Sequence, residues 1–206
     1  MELATLVYLP GSGWATPPDT RLDSPNTLVL VFGAADSLAT LAEGSPLSTL
    51  ARALPRSVFA SAATHTIAHA RQTADEALVV CIVRFDHTAL RRFHVELGPV
   101  MTAESAGRQL AQALLDTPGL SGVLVLADGI EVNGPDLVRG LNAVLPDSLP
   151  IAGGMGAASA SASAAWSPGP RATRSRRSTA TPPSSSTAST WAAMPAACPR
   201  RPRISR

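Results

Sequence analysis

The sequence contains no lysine, so all 17 of its basic residues are arginine, as a gene of extreme GC content tends to encode. Aromatic residues make up only 4%. No window reaches the roughly 18 consecutive apolar residues that a membrane-spanning helix needs, so no membrane partner is expected. The start, Met1-Glu2-Leu3-Ala4, has no cationic region ahead of its short apolar run, so no secretory leader is expected and the chain reads as cytoplasmic. The two cysteines, Cys81 in an apolar run and Cys198 among Ala, Pro and Arg, sit in surroundings too unlike to suggest a disulfide. Cys81 reads as a small buried hydrophobe.

The most informative absence is local. Residues 157–206 hold no acidic residue and 8 arginines, a net +8. Residues 1–156 hold all 15 acids and 9 arginines, giving 9 − 15 = −6. The folded part is mildly acidic, which removes nucleic acid as its first partner. The last fifty residues have one aliphatic among Leu, Ile and Val, namely Ile204, and 44 of them are Ala, Ser, Arg, Pro or Thr. Such a segment buries too little apolar surface to offset its ordering entropy, so a disordered tail is expected after a domain ending near Gly156. Out-of-frame translation of a GC-rich gene gives this mixture, and a frameshift near codon 156 is our reading of its origin. The basic stretch Arg174-Ser175-Arg176-Arg177-Ser178 lacks interleaved aromatics and reads as a by-product of that composition.

Within 1–156, continuous apolar runs bounded by Gly, Pro and Asp alternate with Ala/Leu segments of helical spacing, which predicts an α/β fold. Thr27–Phe32, Ala77–Phe85 and Gly122–Ala127 are the clearest strands; Ala4–Leu9, Ser57–Ala60, Leu90–Leu97 and Leu149–Ala152 are weaker ones. Ala103–Asp116 and Pro135–Leu145 carry the best helix signals, with Asn133 as cap of the second and Pro135 in its first turn. Only Phe85-Asp86-His87-Thr88 separates two of the strands, which predicts a hairpin there and hence a mixed sheet with flanking helices, incomplete at its C-terminal side.

Few residues suggest chemistry. His65 and His69 are spaced i, i+4, so on a helix they would share a face and could hold a zinc ion with Asp75 or Glu76, the basis of an alternative reading as a metal-dependent hydrolase. No acidic base follows the first histidine. Gly11-Ser12-Gly13 reads as a turn, and Gly153-Gly154-Met155-Gly156 lacks the Lys-Ser/Thr pair of a phosphate loop. No nucleophile and base stand at a recognisable spacing, so neither an enzyme nor a cofactor is expected. Asp128-Gly129 follows the most hydrophobic strand at its carboxyl end, where open α/β sheets bind ligands; its other reading is a turn with Asp as cap. Asp36 after Thr27–Phe32 has the same two readings.

Asn26–Leu38, Asp75–Phe85 and above all Gly122–Gly156 (GVLVLADGIEVNGPDLVRGLNAVLPDSLPIAGGMG) resemble, in order, the N-terminal half of FIST sensory domains. In the last block a strand, Asp-Gly, Asn-Gly before a helix, and a Pro-Ile strand entering a Gly-Gly loop occur with the family's spacing. The resemblance implies a non-catalytic, cytoplasmic bacterial input domain for small ligands, suggested to include amino acids, with a signalling output protein as its partner. It places Asp128, Gly129, Gly153 and Gly154 at the ligand crevice, with Asp36 beside them. Ala60-Ser61-Ala62-Ala63-Thr64-His65 stands where the family has a Gly-Cys-Ser-Thr-Ala-Gly loop, which adds Ser61 to the ligand-lining positions. After Met155-Gly156 the family's Gly-Asp and further strands give way to the tail, so a marginally stable, aggregation-prone or non-functional product is expected.

Overall fold

The computed structural model describes residues 1–39, 44–64, 67–69, 72–74, 77–98, 100–156 and 186–195. Among the described residues two larger sheets pack face to face, each covered on its outer side by helices, and a separate two-stranded ribbon stands beside them. The first sheet runs β2-β1-β7-β3-β4, from β1 (Glu2–Leu9), β2 (Gly13–Trp14), β3 (Thr27–Gly33), β4 (Val58–Ala63) and β7 (Leu78–Arg84). The second runs β10-β9-β11-β8, from β8 (Thr88–Leu97), β9 (Gly122–Asp128), β10 (Ile151–Gly156) and β11 (Ser186–Pro195). Both are mixed. β3 is parallel to β4 and antiparallel to β7, while β9 is parallel to β10 and antiparallel to β11.

Period-two alternation assigns the layers. On β3, Val29 and Val31 meet Leu47, Leu50 and Leu54 of the helical layer formed by α1 (Ala35–Ala39) and α2 (Pro46–Ala53) with its following turn. Leu28 and Leu30 point the other way, into an inter-sheet layer shared with Ala60 of β4 and with Leu124 and Leu126 of β9. On β9, Val123, Val125 and Ala127 turn outward to α3 (Ala103–Leu115) and α4 (Gly134–Asn142), against Leu110, Leu114, Leu137 and Leu141. A β-strand with apolar residues on both faces is what such a four-layer stack requires, and it explains why the strands read as unbroken hydrophobic runs. Each fully buried leucine contributes about 2 kcal/mol by leaving water.

The helices start where their caps dictate. Ser45, Thr102 and Asn133 each accept a backbone N–H three residues on, at 3.2, 3.1 and 3.1 Å, and open α2, α3 and α4. The α3–α4 crossing is unusually close. A Cβ at Gly107 would lie 2.3 Å from the Leu137 carbonyl oxygen, and one at Gly140 would lie 2.1 Å from that of Glu104.

Three expectations from sequence are corrected. β7 and β8 do not form a hairpin: β1 and β3 occupy both edges of β7, and the short link at Phe85–His87 carries the chain across to the other sheet. Gly153 and Gly154 lie within β10 rather than in a loop after it. Ile67–His69 is β5, paired antiparallel with β6 (Gln72–Ala74), so the helical face that would unite His65 and His69 does not form; His65, Asp75 and Glu76 lie outside the described residues. Within residues 157–206 the described segment is Ser186–Pro195, which forms β11 between β8 and β9. The two strands it joins offer free backbone groups, and those pair with any sequence that can extend.

Candidate functional site

The parallel pairs β3/β4 and β9/β10 end close together. A Cβ at Gly156, the last residue of β10, would lie 3.2 Å from the Ala63 carbonyl at the end of β4, and the Thr64 N–H donates to Gly33 at the end of β3 at 2.8 Å. The carboxyl ends of both pairs therefore face one region, the position where open α/β sheets hold ligands. Asp128 ends β9 there. Its Oδ1 accepts the N–H groups of Ile130 at 2.8 Å and Glu131 at 3.3 Å, so the carboxylate is committed to shaping the turn. Gly129 donates its N–H to Gly156 at 2.8 Å, and a Cβ on it would lie 2.2 Å from that oxygen; only glycine permits the approach.

Beside this turn a cavity of about 400 Å³ opens between α4 and β10. Its floor is Ile151–Met155 with Val125 of β9, and Leu149 closes one end. Its roof is Leu137 and one stripe of α4, Gly134, Val138 and Asn142, spaced four residues apart so that they share a face. A Cβ at Gly153 would meet the Val125 carbonyl at 2.0 Å, whereas one at Gly154 would meet nothing within 4 Å. Glycine at 153 lets β10 lie close on β9; glycine at 154 leaves space. No charged side chain lines the cavity, and its polar groups are the Asn142 amide and the strand's peptides.

A family model for the FIST N domain matches residues 27–169. The chain belongs to the FIST N domain family. FIST domains are sensory, non-catalytic domains of signal transduction that bind small ligands. Comparison with curated proteins gives no match. The FIST match begins at the first residue of β3 and continues 169 − 156 = 13 residues past the compositional join at Gly156.

The residues singled out from sequence thus divide. Gly153 and Gly154 line the cavity, and Asp128 and Gly129 form the turn beside it, joined to β10 through Gly156. Asp36 lies in α1, directly after β3. Ser61 is on β4, in step with Phe59 and Ala63, which pack on the α1–α2 side, so it faces away from the inter-sheet layer. His69 is on β5. Among the described residues no group of three or more His, Cys, Asp or Glu could hold a metal ion.

Two further residues reach the same end of the fold without any motif to announce them. β11 sets His94 level with Leu126 and Glu96 one step beyond Ala127, on the face that carries Leu90 into the inter-sheet layer. His94 Nε2 is buried 3.6 Å from Glu96 Oε1, too far for a hydrogen bond. Nearby on β8, burial lowers the pKa of Arg92. The alternation of β8 was readable in sequence, but its level against β9 depends on the intervening strand. The α4 stripe was accessible from helical spacing alone.

Proposed function

We propose that this FIST N domain is the small-molecule input module of a cytoplasmic signalling protein and that its ligand occupies the α4–β10 cavity. The observation that carries this is the cavity itself. It falls within the roughly 300–1,000 Å³ of typical ligand sites, runs along β10 of a parallel strand pair, and contains the two glycines that the family spacing singles out. With no charged lining, the ligand binds through apolar surface and through hydrogen bonds to Asn142 and peptide groups. An amino acid would place an apolar side chain among Val125, Leu137 and Ile151 and leave its charged end at the open mouth. Asp128 and Gly129 act by fixing the turn that holds Gly156, and so the end of β10.

A thermal-shift screen of amino acids and small apolar compounds tests this. A ligand at a hundred times its Kd raises stability by about 2.7 kcal/mol. Val138→Trp fills the cavity from the α4 side, where Val138 is 45% exposed, so it should abolish the ligand's shift while leaving the unliganded melt nearly unchanged. Absence of any stabilising compound, or a shift that survives Val138→Trp, would refute the assignment.

A further inference from the structure

The edge of β10 facing away from β9 carries no strand among the described residues. Pro150 and Gly156 turn their carbonyl groups to β9, accepting from Val123 at 3.0 Å and Gly129 at 2.8 Å. Successive peptide groups in a strand alternate sides, so those of Ile151, Gly153 and Met155 point outward. Native edges are commonly blunted by charge or proline, and Ile-Ala-Gly-Gly-Met-Gly has neither. Val138 and Met155, 45% and 44% exposed, flank this edge.

The strip is also self-complementary. A Cβ at Gly134 would lie 3.3 Å from Met155 Sδ, so the start of α4 is level with the end of β10 and the two run antiparallel. A twofold axis beside Gly153 pairs Ile151 with the partner's Met155 and Gly153 with the partner's Gly153. All are positions with outward peptide groups, so each pair exchanges two hydrogen bonds. The same axis sets the α4 stripe against its copy, with Gly134 opposite the partner's Asn142 and Val138 opposite the partner's Val138. No like charges meet on the axis because the strip has none.

We propose that the chain self-associates through β10 into a twofold dimer whose two α4–β10 cavities join into one chamber. The open mouth of each cavity is then walled by the other copy. Six residues make an edge about 20 Å long, and strand plus helix layers are about 20 Å deep, so each copy contributes about 400 Å². A standard stable interface uses about 800 Å² per partner, so the dimer is weak and concentration-dependent.

Sedimentation equilibrium of the full chain over a wide concentration range tests this. The average mass should rise from one chain towards two. Met155→Lys should weaken association by about tenfold or more through an edge charge, while Val100→Lys, at an exposed site away from β10, should not. Amide exchange of the unaltered chain gives a readout independent of how the variants fold: the N–H groups of 151, 153 and 155 should gain protection as concentration rises. A monomer at every concentration, a dimer indifferent to Met155→Lys, or protection independent of concentration, as cover by the chain's own tail would give, overturns the proposal. The dimer needs no ligand, so its failure is separate from failure of the sensory reading.

Discussion

Replacing Gly107 by alanine sets two effects against each other. Helix propensity favours alanine over glycine by about 1 kcal/mol in a helix interior. The α3–α4 crossing opposes it, because the new Cβ would lie 2.3 Å from the Leu137 carbonyl oxygen and 3.0 Å from the Leu141 nitrogen, where backbone cannot rotate away. Restoring an ordinary contact of about 3.4 Å moves the helices about 1 Å apart, and a gap of that size forfeits a quarter to a half of the dispersion attraction across it. Leu110, Leu114, Leu137 and Leu141, all 2% exposed or less, lie in this layer. If each makes about ten cross-helix contacts of about 0.15 kcal/mol, the separation costs about 1.5–3 kcal/mol, leaving a net loss of about 0.5–2 kcal/mol. Urea denaturation of the full chain should therefore show a lower midpoint for Gly107→Ala. Gly140→Ala meets the Glu104 carbonyl at 2.1 Å in the same crossing, so one separation accommodates both and the double variant should lose less than the sum of the two. Gly98→Ala, with nothing within 4 Å, is the control and should be near neutral. An unchanged or raised midpoint for Gly107→Ala would show that propensity wins and that the crossing is not held at this distance.

Three other outcomes follow from local geometry. Gly153→Ala, whose Cβ meets the Val125 carbonyl at 2.0 Å, should lower the melting temperature, whereas Gly154→Ala should leave it within error; equal effects would contradict the β9–β10 packing. Hydrogen bonds from the Arg21 side chain and backbone lower the Asp19 pKa from 3.8 to about 2, so its contribution to stability is present above pH 4 and lost as pH falls through about 2. An NMR titration should give that midpoint and move it back towards 3.8 in Arg21→Ala; a normal midpoint in the unaltered chain refutes the pairing. Residues 157–185 make a 29-residue link between Gly156 and Ser186, which lie at the same end of the sheet and two strand spacings, about 10 Å, apart. Deleting Ala160–Thr181 leaves seven residues and should stabilise β11 by about 1.3 kcal/mol through a smaller closure entropy, read as a raised urea midpoint, and no change would argue against β11 in that slot.

Most of the α/β fold was readable because burial on both faces of a strand leaves an unbroken apolar run. Thr27–Phe32 and Gly122–Ala127 agree with β3 and β9 within a residue, and Asn133 caps α4 as its position before Gly-Pro suggested. The division into two sheets was not readable. Link length between β7 and β8 fitted a hairpin, but which strand pairs β7 is decided by distant β1 and β3, whose apolar faces meet the α1–α2 layer. The glycines of β10 misled for a related reason. Gly-Gly in sequence suggests a loop, but at Gly153 the absent side chain serves a close strand pairing, a demand set by Val125 some thirty residues earlier.

The same contrast explains β11 and sharpens the meaning of the join at Gly156. Composition measures what side chains can bury, and by that measure residues 157–206 carry too few large apolar side chains to build a core. A slot between two strands asks for something else, a backbone able to donate and accept along both edges. Ser186–Pro195 pairs with β8 along all ten of its residues and with β9 along six, so its place in the sheet rests on backbone pairing rather than on its side chains. Without a strand there, β8 and β9 would each present an unpaired edge inside a layer packed on α3, where water cannot replace the missing partners. The demand for a strand therefore originates in β8 and β9, upstream of the join, and among the described residues the outer edge of β10 presents a comparable unmet demand beside an open cavity.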